Sequence, residues 1–175
     1  VSISGSSAAA ADLNAINAAT TGVVTVASTT ITGSYGDVLV TYDANTAGTI
    51  AGLGNEAITL SSTNTVDQLN TISGKTSGIV TATISDNDMS TLDGITESGH
   101  ALTISVTDSS VAASNLNTLD GKTSVAVTVT STTLTGSYSD VKAAYDANTA
   151  GTISGLGNEA VTLSDTTLAV ANLNT

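Results

Sequence analysis

The chain has 175 residues, 40% of them hydrophobic, and its fifteen acidic residues against three lysines and no arginine give a formal net charge of −12. Without a cationic patch to neutralise phosphates, we expect no nucleic-acid partner. The absence of Cys excludes disulfides and thiolate metal sites, and the apolar runs are too short for membrane insertion.

Helical turns are the first predicted element, and they repeat along the chain. An anchor residue, apolar in every unit except at Lys142, begins at Leu13 and recurs at spacings of 26, 30, 23, 24, 26 and 31 residues, and in the first six units an apolar residue follows it three positions later. The first anchors of these pairs are Leu13, Leu39, Leu69, Leu92, Leu116, Lys142 and Leu173. Small or acidic residues precede each pair and Gly, Thr or Asn follows, which predicts one or two capped helical turns.

Strands are predicted after the helical turns, where apolar and polar residues alternate. The clearest runs are VVTVAS from Val23, IVTATIS from Ile79, ALTISV from Ala101 and VAVTVTS from Val125. A helical turn, a corner and a strand cannot bury an apolar face alone, whereas stacked copies can. The sequence therefore predicts a repeat protein, a β-solenoid of about six coils with roughly 25 residues per coil, each with a short helical turn plus strands.

A longer period is superimposed on these units. The segment DANTAGTIAGLGNEAITLS from Asp43 returns 103 residues later as DANTAGTISGLGNEAVTLS from Asp146, and the first four spacings add up to the same 103. We therefore interpret residues 1–175 as a single solenoid fragment of a longer array with a four-coil superperiod.

The duplicated segment contains the hexapeptide GLGNEA, from Gly52 and again from Gly155. Its two glycines allow a sharp turn that tucks the intervening Leu inward. We expect Glu56 and Glu159 to anchor this loop by accepting backbone N–H groups. About four strand spacings separate the two carboxylates in the predicted array, too far for a glycosidase pair.

The segments LNTLDGKTSVAVTVTSTTLTGSYSDV and GLGNEAVTLSDTTLAVANLNT resemble the tandem repeats of very large secreted or cell-surface proteins of marine cyanobacteria. The resemblance covers essentially the whole chain. It implies an extracellular or cell-surface location and an array-building structural role. It brings no catalytic residue and no cofactor, so we expect neither.

The densest acidic residues are Asp86, Asp88 and Asp93. They are weak calcium candidates, because the twelve-residue loop with Gly at its sixth position and Glu at its twelfth is missing. We expect a solvated turn in which Asp88 caps a helix. His100, the only histidine, has no Cys or second His to join it in a metal or catalytic site, so we expect an exposed corner.

A threonine-rich face is the alternative feature of interest. Alternation within the predicted strands places threonines on the outward side, where stacking could align them as a surface-binding face for ice, a glycan or a mineral. These residues are Thr81, Thr83, Thr103, Thr128 and Thr130.

The favoured function is a structural repeat segment of a large extracellular protein, acting as a rigid acidic spacer or surface-layer element. Its partners are then neighbouring repeats of the parent chain, with end-to-end self-association of the fragment as a further expectation.

Overall fold

The computed structural model describes residues 1–169, which divide into two compact units. Unit 1 comprises Val1–Ser85 and Ile95–Leu102, and unit 2 comprises Asp86–Gly94 and the described residues from Thr103 onward. The anchor Leu173 lies outside the described residues.

Strands and helices alternate along the chain. The first half contains β1 (Ser2–Ile3), β2 (Ala8–Ala9), α1 (Ala10–Ala19), β3 (Val24–Val26), β4 (Thr30–Gly33), α2 (Tyr35–Thr46), β5 (Ile50–Ala51), β6 (Ala57–Asn64), α3 (Val66–Ser73) and β7 (Val80–Ile84). The second half contains α4 (Met89–Leu92), β8 (Ala101–Thr103), β9 (Ser105–Val106), β10 (Ser110–Ala112), α5 (Ala113–Asp120), β11 (Val127–Val129), β12 (Thr133–Gly136), α6 (Tyr138–Ala150), β13 (Ile153–Ser154) and β14 (Ala160–Leu163).

Side-chain caps begin several of the helices. The Ser34 hydroxyl accepts a hydrogen bond from the Asp37 N–H before α2, and Thr65 forms a capping box with Gln68 at α3. These bonds satisfy backbone donors that the first helical turn leaves unpaired. Among the described residues, no helix has the length and apolar character needed to cross a bilayer.

Four small parallel sheets are formed by the described residues. Their strand orders are β1-β3-β5, β2-β4-β6-β7-β8, β9-β11-β13 and β10-β12-β14. In the five-stranded sheet, Ile31 pairs with Ile58 and Ile58 with Val80, and all three side chains are fully buried. The helices add their own buried anchors, such as Leu13 and Leu69, to this core.

The prediction of a β-solenoid is wrong, because the described residues form an α/β fold with four separate parallel sheets and six helices. The predicted helical turns are instead helices of 10, 12 and 13 residues at α1, α2 and α6. Alanine is the best helix former, whereas Gly and Pro interrupt helices. After its second residue α2 contains neither Gly nor Pro, and α6 contains neither along its whole length. Short parallel strands alternating with such helices are typical of α/β folds.

The two units repeat the same local arrangement at an offset of 103 residues. Val24 pairs with Ile50 in unit 1, as Val127 pairs with Ile153 in unit 2. That the chain is one fragment of a longer array stays a prediction.

Gly52 offers a test of the close packing in unit 1. Its φ is +93° and an added Cβ would lie 2.3 Å from the Val26 carbonyl oxygen, whereas Gly48, with φ +81°, has open space around it. We expect Gly52→Ala to lower the free energy of unfolding by roughly 3 kcal/mol or more, and Gly48→Ala by about 1 kcal/mol. Urea denaturation of both variants measures the difference, and equal losses would contradict the close approach.

Candidate functional site

The GLGNEA loop of unit 1 is held by a buried pair of side chains. Tyr42, on α2, donates its hydroxyl hydrogen to Glu56 Oε2 at 3.0 Å, and the Gly54 N–H donates to the same oxygen at 2.8 Å. Both side chains are almost fully buried. On the other side of the loop, Asn45 Oδ1 accepts from the Leu53 N–H at 3.2 Å. The loop is therefore tied to α2 at two points.

Unit 2 builds the same arrangement. The Tyr145 hydroxyl donates to Glu159 Oε2 at 2.9 Å, and the Gly157 N–H contacts both carboxylate oxygens at 2.9 and 3.0 Å. Asn148 Oδ1 accepts from the Leu156 N–H at 3.2 Å. We name these two arrangements the Tyr–Glu clamps. They confirm the prediction that the glutamates anchor the loop through backbone N–H groups. The predicted inward leucine is confirmed at Leu156, which is buried, whereas Leu53 is only half-buried.

The electrostatics of the clamps favour a fixed hydrogen bond over proton transfer. Burial, and next the Glu56 carboxylate, raise the pKa of Tyr42. Burial and the hydrogen bond to Glu159 raise the pKa of Tyr145 to about 12. Partial burial alone would raise the pKa of Glu159, but hydrogen bonds from Gly157, the backbone of the loop and Tyr145 lower it. Each tyrosine therefore stays a donor at neutral pH.

Removing the tyrosine hydroxyl in each unit compares the contributions of the two clamps to stability. Tyr42→Phe leaves the buried Glu56 carboxylate without one of its donors, so we expect a loss of about 1–3 kcal/mol in the stability of unit 1. Tyr145→Phe is the matched control and should cost less, because Glu159 is only half-buried. Hydrogen exchange read separately in the two units measures both losses. A larger effect of Tyr145→Phe would contradict this order.

Two of the three acidic residues predicted as weak calcium candidates, Asp88 and Asp93, make separate contacts. Asp88 caps α4, accepting hydrogen bonds from the Thr91 N–H and the Ser90 hydroxyl, which confirms its predicted capping role. These bonds lower the pKa of Asp88. Asp93 accepts from the Asn115 side-chain amide at 2.7 Å. Within residues 1–169, no three acidic, His or Cys side chains converge as a metal site, and Asp86 joins no such group.

His100 is buried, so the prediction of an exposed corner is wrong. Its Nδ1 atom accepts a hydrogen bond from the Val80 N–H at 3.2 Å, at the start of β7. Burial lowers its pKa, and the nearby Glu97 only partly opposes that shift. The neutral ring is therefore a structural acceptor for a strand.

The depressed pKa of His100 predicts a pH dependence for unit 1. Below pH of about 6.5 the unfolded imidazole binds a proton that the folded ring resists, so stability falls as the pH drops through that value. His100→Asn retains an acceptor near the position of Nδ1 without titrating there, and we expect it to flatten this dependence. Urea midpoints between pH 7 and 5 provide the measurement. Parallel slopes for the two proteins would rule out His100 as the source.

Two of the predicted threonines, Thr81 and Thr83, lie in β7 of the five-stranded sheet. Thr81 pairs with Thr59, and Thr59 pairs with Thr32 on the next strand. These three form an outward row, but the register shifts beyond Thr59, so that Thr83 pairs with Thr63. Sequence reasoning missed Thr32 and Thr59, although their alternation with buried isoleucine and leucine could have identified them.

The other predicted threonines lie in β8 of the same sheet and in or beside β11. Thr103 ends β8, and Thr128 in β11 pairs with Ser105 and Ser154. The Thr130 hydroxyl bonds back to the Val106 carbonyl at 3.3 Å. Three of the five threonines thus belong to the five-stranded sheet, Thr128 belongs to the sheet of β9, β11 and β13, and Thr130 lies just outside β11. In unit 2, serine flanks Thr128 on both sides.

A surface cavity of about 250 Å³ lies beside the end of α1. It is lined by neutral groups that include Asn17, Thr20 and Thr49, and the Asn17 amide donates to the Thr49 hydroxyl at 3.2 Å. Such a lining offers hydrogen bonds but no titratable group for catalysis.

Comparison with known protein families, curated protein sequences and solved structures finds no match for this chain.

Proposed function

We propose that this chain is a structural repeat segment of a large extracellular protein, acting as a rigid acidic spacer or surface-layer element. The observation that carries the proposal is the pair of Tyr–Glu clamps, built from the same residue types with nearly the same distances, 103 residues apart. Such duplication adds length by copying a self-supporting module, as in repeat proteins.

The use of the polar side chains also supports a structural role. Glu56, Asp88 and His100 each accept hydrogen bonds from backbone N–H groups of the fold. Groups that an enzyme would keep available for a substrate are here employed in holding loops, a helix and a strand.

The charge of the chain suits an extended extracellular element. Lys75 pairs with Asp43, and Lys142 with Asp146, so most of the fifteen acids are left to solvent or to hydrogen-bond donors. A strongly negative surface disfavours nonspecific association between neighbouring molecules.

The alternative is a surface-binding module for ice, a glycan or a mineral, and the in-register row Thr32, Thr59 and Thr81 favours it. The register shift and the serines around Thr128 make the spacer the better proposal, because a flat crystalline surface requires a regular array. If the threonine row binds a surface, Thr59→Lys should abolish retention of the protein on ice, glycan or mineral. If the chain is a spacer, the substitution should leave its retention unchanged.

The spacer role predicts how size scales with copy number. In tandem fusions of one, two and three copies of the full chain, we expect the maximum dimension from small-angle X-ray scattering to rise by a constant increment per copy. Fusions joined by a flexible glycine-serine linker are the control, and their dimension should grow less than linearly. Matching curves for both series would contradict a rigid spacer.

A further inference from the structure

In unit 1, residues 74–80 form a strap over the GLGNEA loop. The Ser77 N–H donates to the Gly54 carbonyl at 2.9 Å, and the Thr76 hydroxyl donates to the Glu56 carbonyl at 2.6 Å. The strap thus satisfies two carbonyl groups of the loop from outside.

The strap leads directly into β7, which covers the edge of β6. The Ile58 N–H donates to the Ile79 carbonyl at 2.9 Å, and Ile58 pairs with Val80. Lys75, within the strap, pairs with Asp43 of α2 at 2.9 Å. Under this cover Ile58 is 0% exposed.

Among the residues that the structure describes, unit 2 has the same loop and strand with no further strand paired to them. β14 is the outermost described strand of its sheet. The Ala160 N–H donates inward to the Thr132 carbonyl at 2.9 Å, so the next N–H along the strand, that of Val161, points to the open edge. Val161, the counterpart of Ile58, is 43% exposed.

We propose that the β14 edge, with its GLGNEA loop, is a docking site for an extended strand with the sequence chemistry of residues 74–84, carried by another repeat of the same kind. The receptor hexapeptide is identical to the one that the strap covers in unit 1. The acidic side chain that receives Lys75 is present as well, in Asp146. This docking is strand addition at a sheet edge, and it holds whether or not the chain is a spacer.

Two contacts define what the site selects. An added Cβ at Gly78 would lie 2.2 Å from the Glu56 carbonyl oxygen, so the ligand requires glycine at that position. Lys142 holds Asp146 at 2.6 Å and competes with the lysine of the ligand. The corresponding position in unit 1 is Leu39, which leaves Asp43 available to the strap.

The test is titration of a fluorescent synthetic peptide, residues 74–94, with the full chain, read as anisotropy. We expect saturable 1:1 binding that falls by about tenfold or more for Val161→Pro, which removes the outward N–H. Val161→Thr, the matched control, keeps the N–H and should bind normally.

A peptide with Gly78→Ala should lose affinity to a similar extent. Lys142→Leu in the chain should raise the affinity for the parent peptide. Hydrogen exchange should show new protection at residues 157–163.

Three results would overturn the proposal. These are the absence of saturable binding, equal affinity of the two Val161 variants, and equal affinity of the parent and Gly78→Ala peptides. The peptide comparison needs no change to the protein, so it remains decisive if Val161→Pro impairs folding. Sedimentation velocity of the chain alone tests whether a second whole copy occupies the β14 edge instead. If the chain forms a dimer that Val161→Pro abolishes, and the peptide does not bind, the edge is an interface between two copies.

Discussion

A buried carboxylate sets the strictest condition on unit 1. Glu56 is almost fully removed from water, and an ionisable group in that position must be surrounded by donors. The donors are the Tyr42 hydroxyl and the Gly54 N–H. Because Tyr42 belongs to α2 and Gly54 to the loop before β6, satisfying one side chain fixes a helix relative to a strand.

The glycines of the same loop impose a second condition, which is steric. Gly52 passes so close to the Val26 carbonyl that no Cβ fits, and Gly155 repeats this against Val129 with a distance of 2.1 Å from an added Cβ to the carbonyl oxygen. A few residues later the glutamate carboxylate accepts a hydrogen bond from a backbone N–H of the same loop. Together these demands explain why the six letters GLGNEA are needed as a set: glycine permits the approach and glutamate holds it.

Local features were largely readable from the sequence. The alternation IVTATIS predicted β7, whose residues alternate between buried and exposed, and Asp88 before an apolar residue predicted a cap. Assembly was not readable, because alternation specifies which face of a strand is buried but not how many strands join one sheet. Helix length was underestimated at α2, where the residues after the second anchor, Tyr42, continue the helix to Thr46. His100 was misjudged because its polar neighbours in sequence concealed the acceptor it provides to Val80.

The two copies show that the burial of a repeated residue depends on the residues that pack around it and not on the repeated sequence alone. Tyr42 and Tyr145 make nearly the same hydrogen bond, yet the first is 2% exposed and the second is half-buried. In unit 1, residues 74–84 follow the loop and exclude water from it, so the polar pair there interacts through a medium of lower dielectric. The same pair in unit 2 remains in partial contact with solvent, which weakens the attraction and also reduces the penalty for breaking it. Nearly identical sequence therefore gives nearly the same hydrogen bonds but different burial, and the strand that covers the loop in unit 1 accounts for the difference.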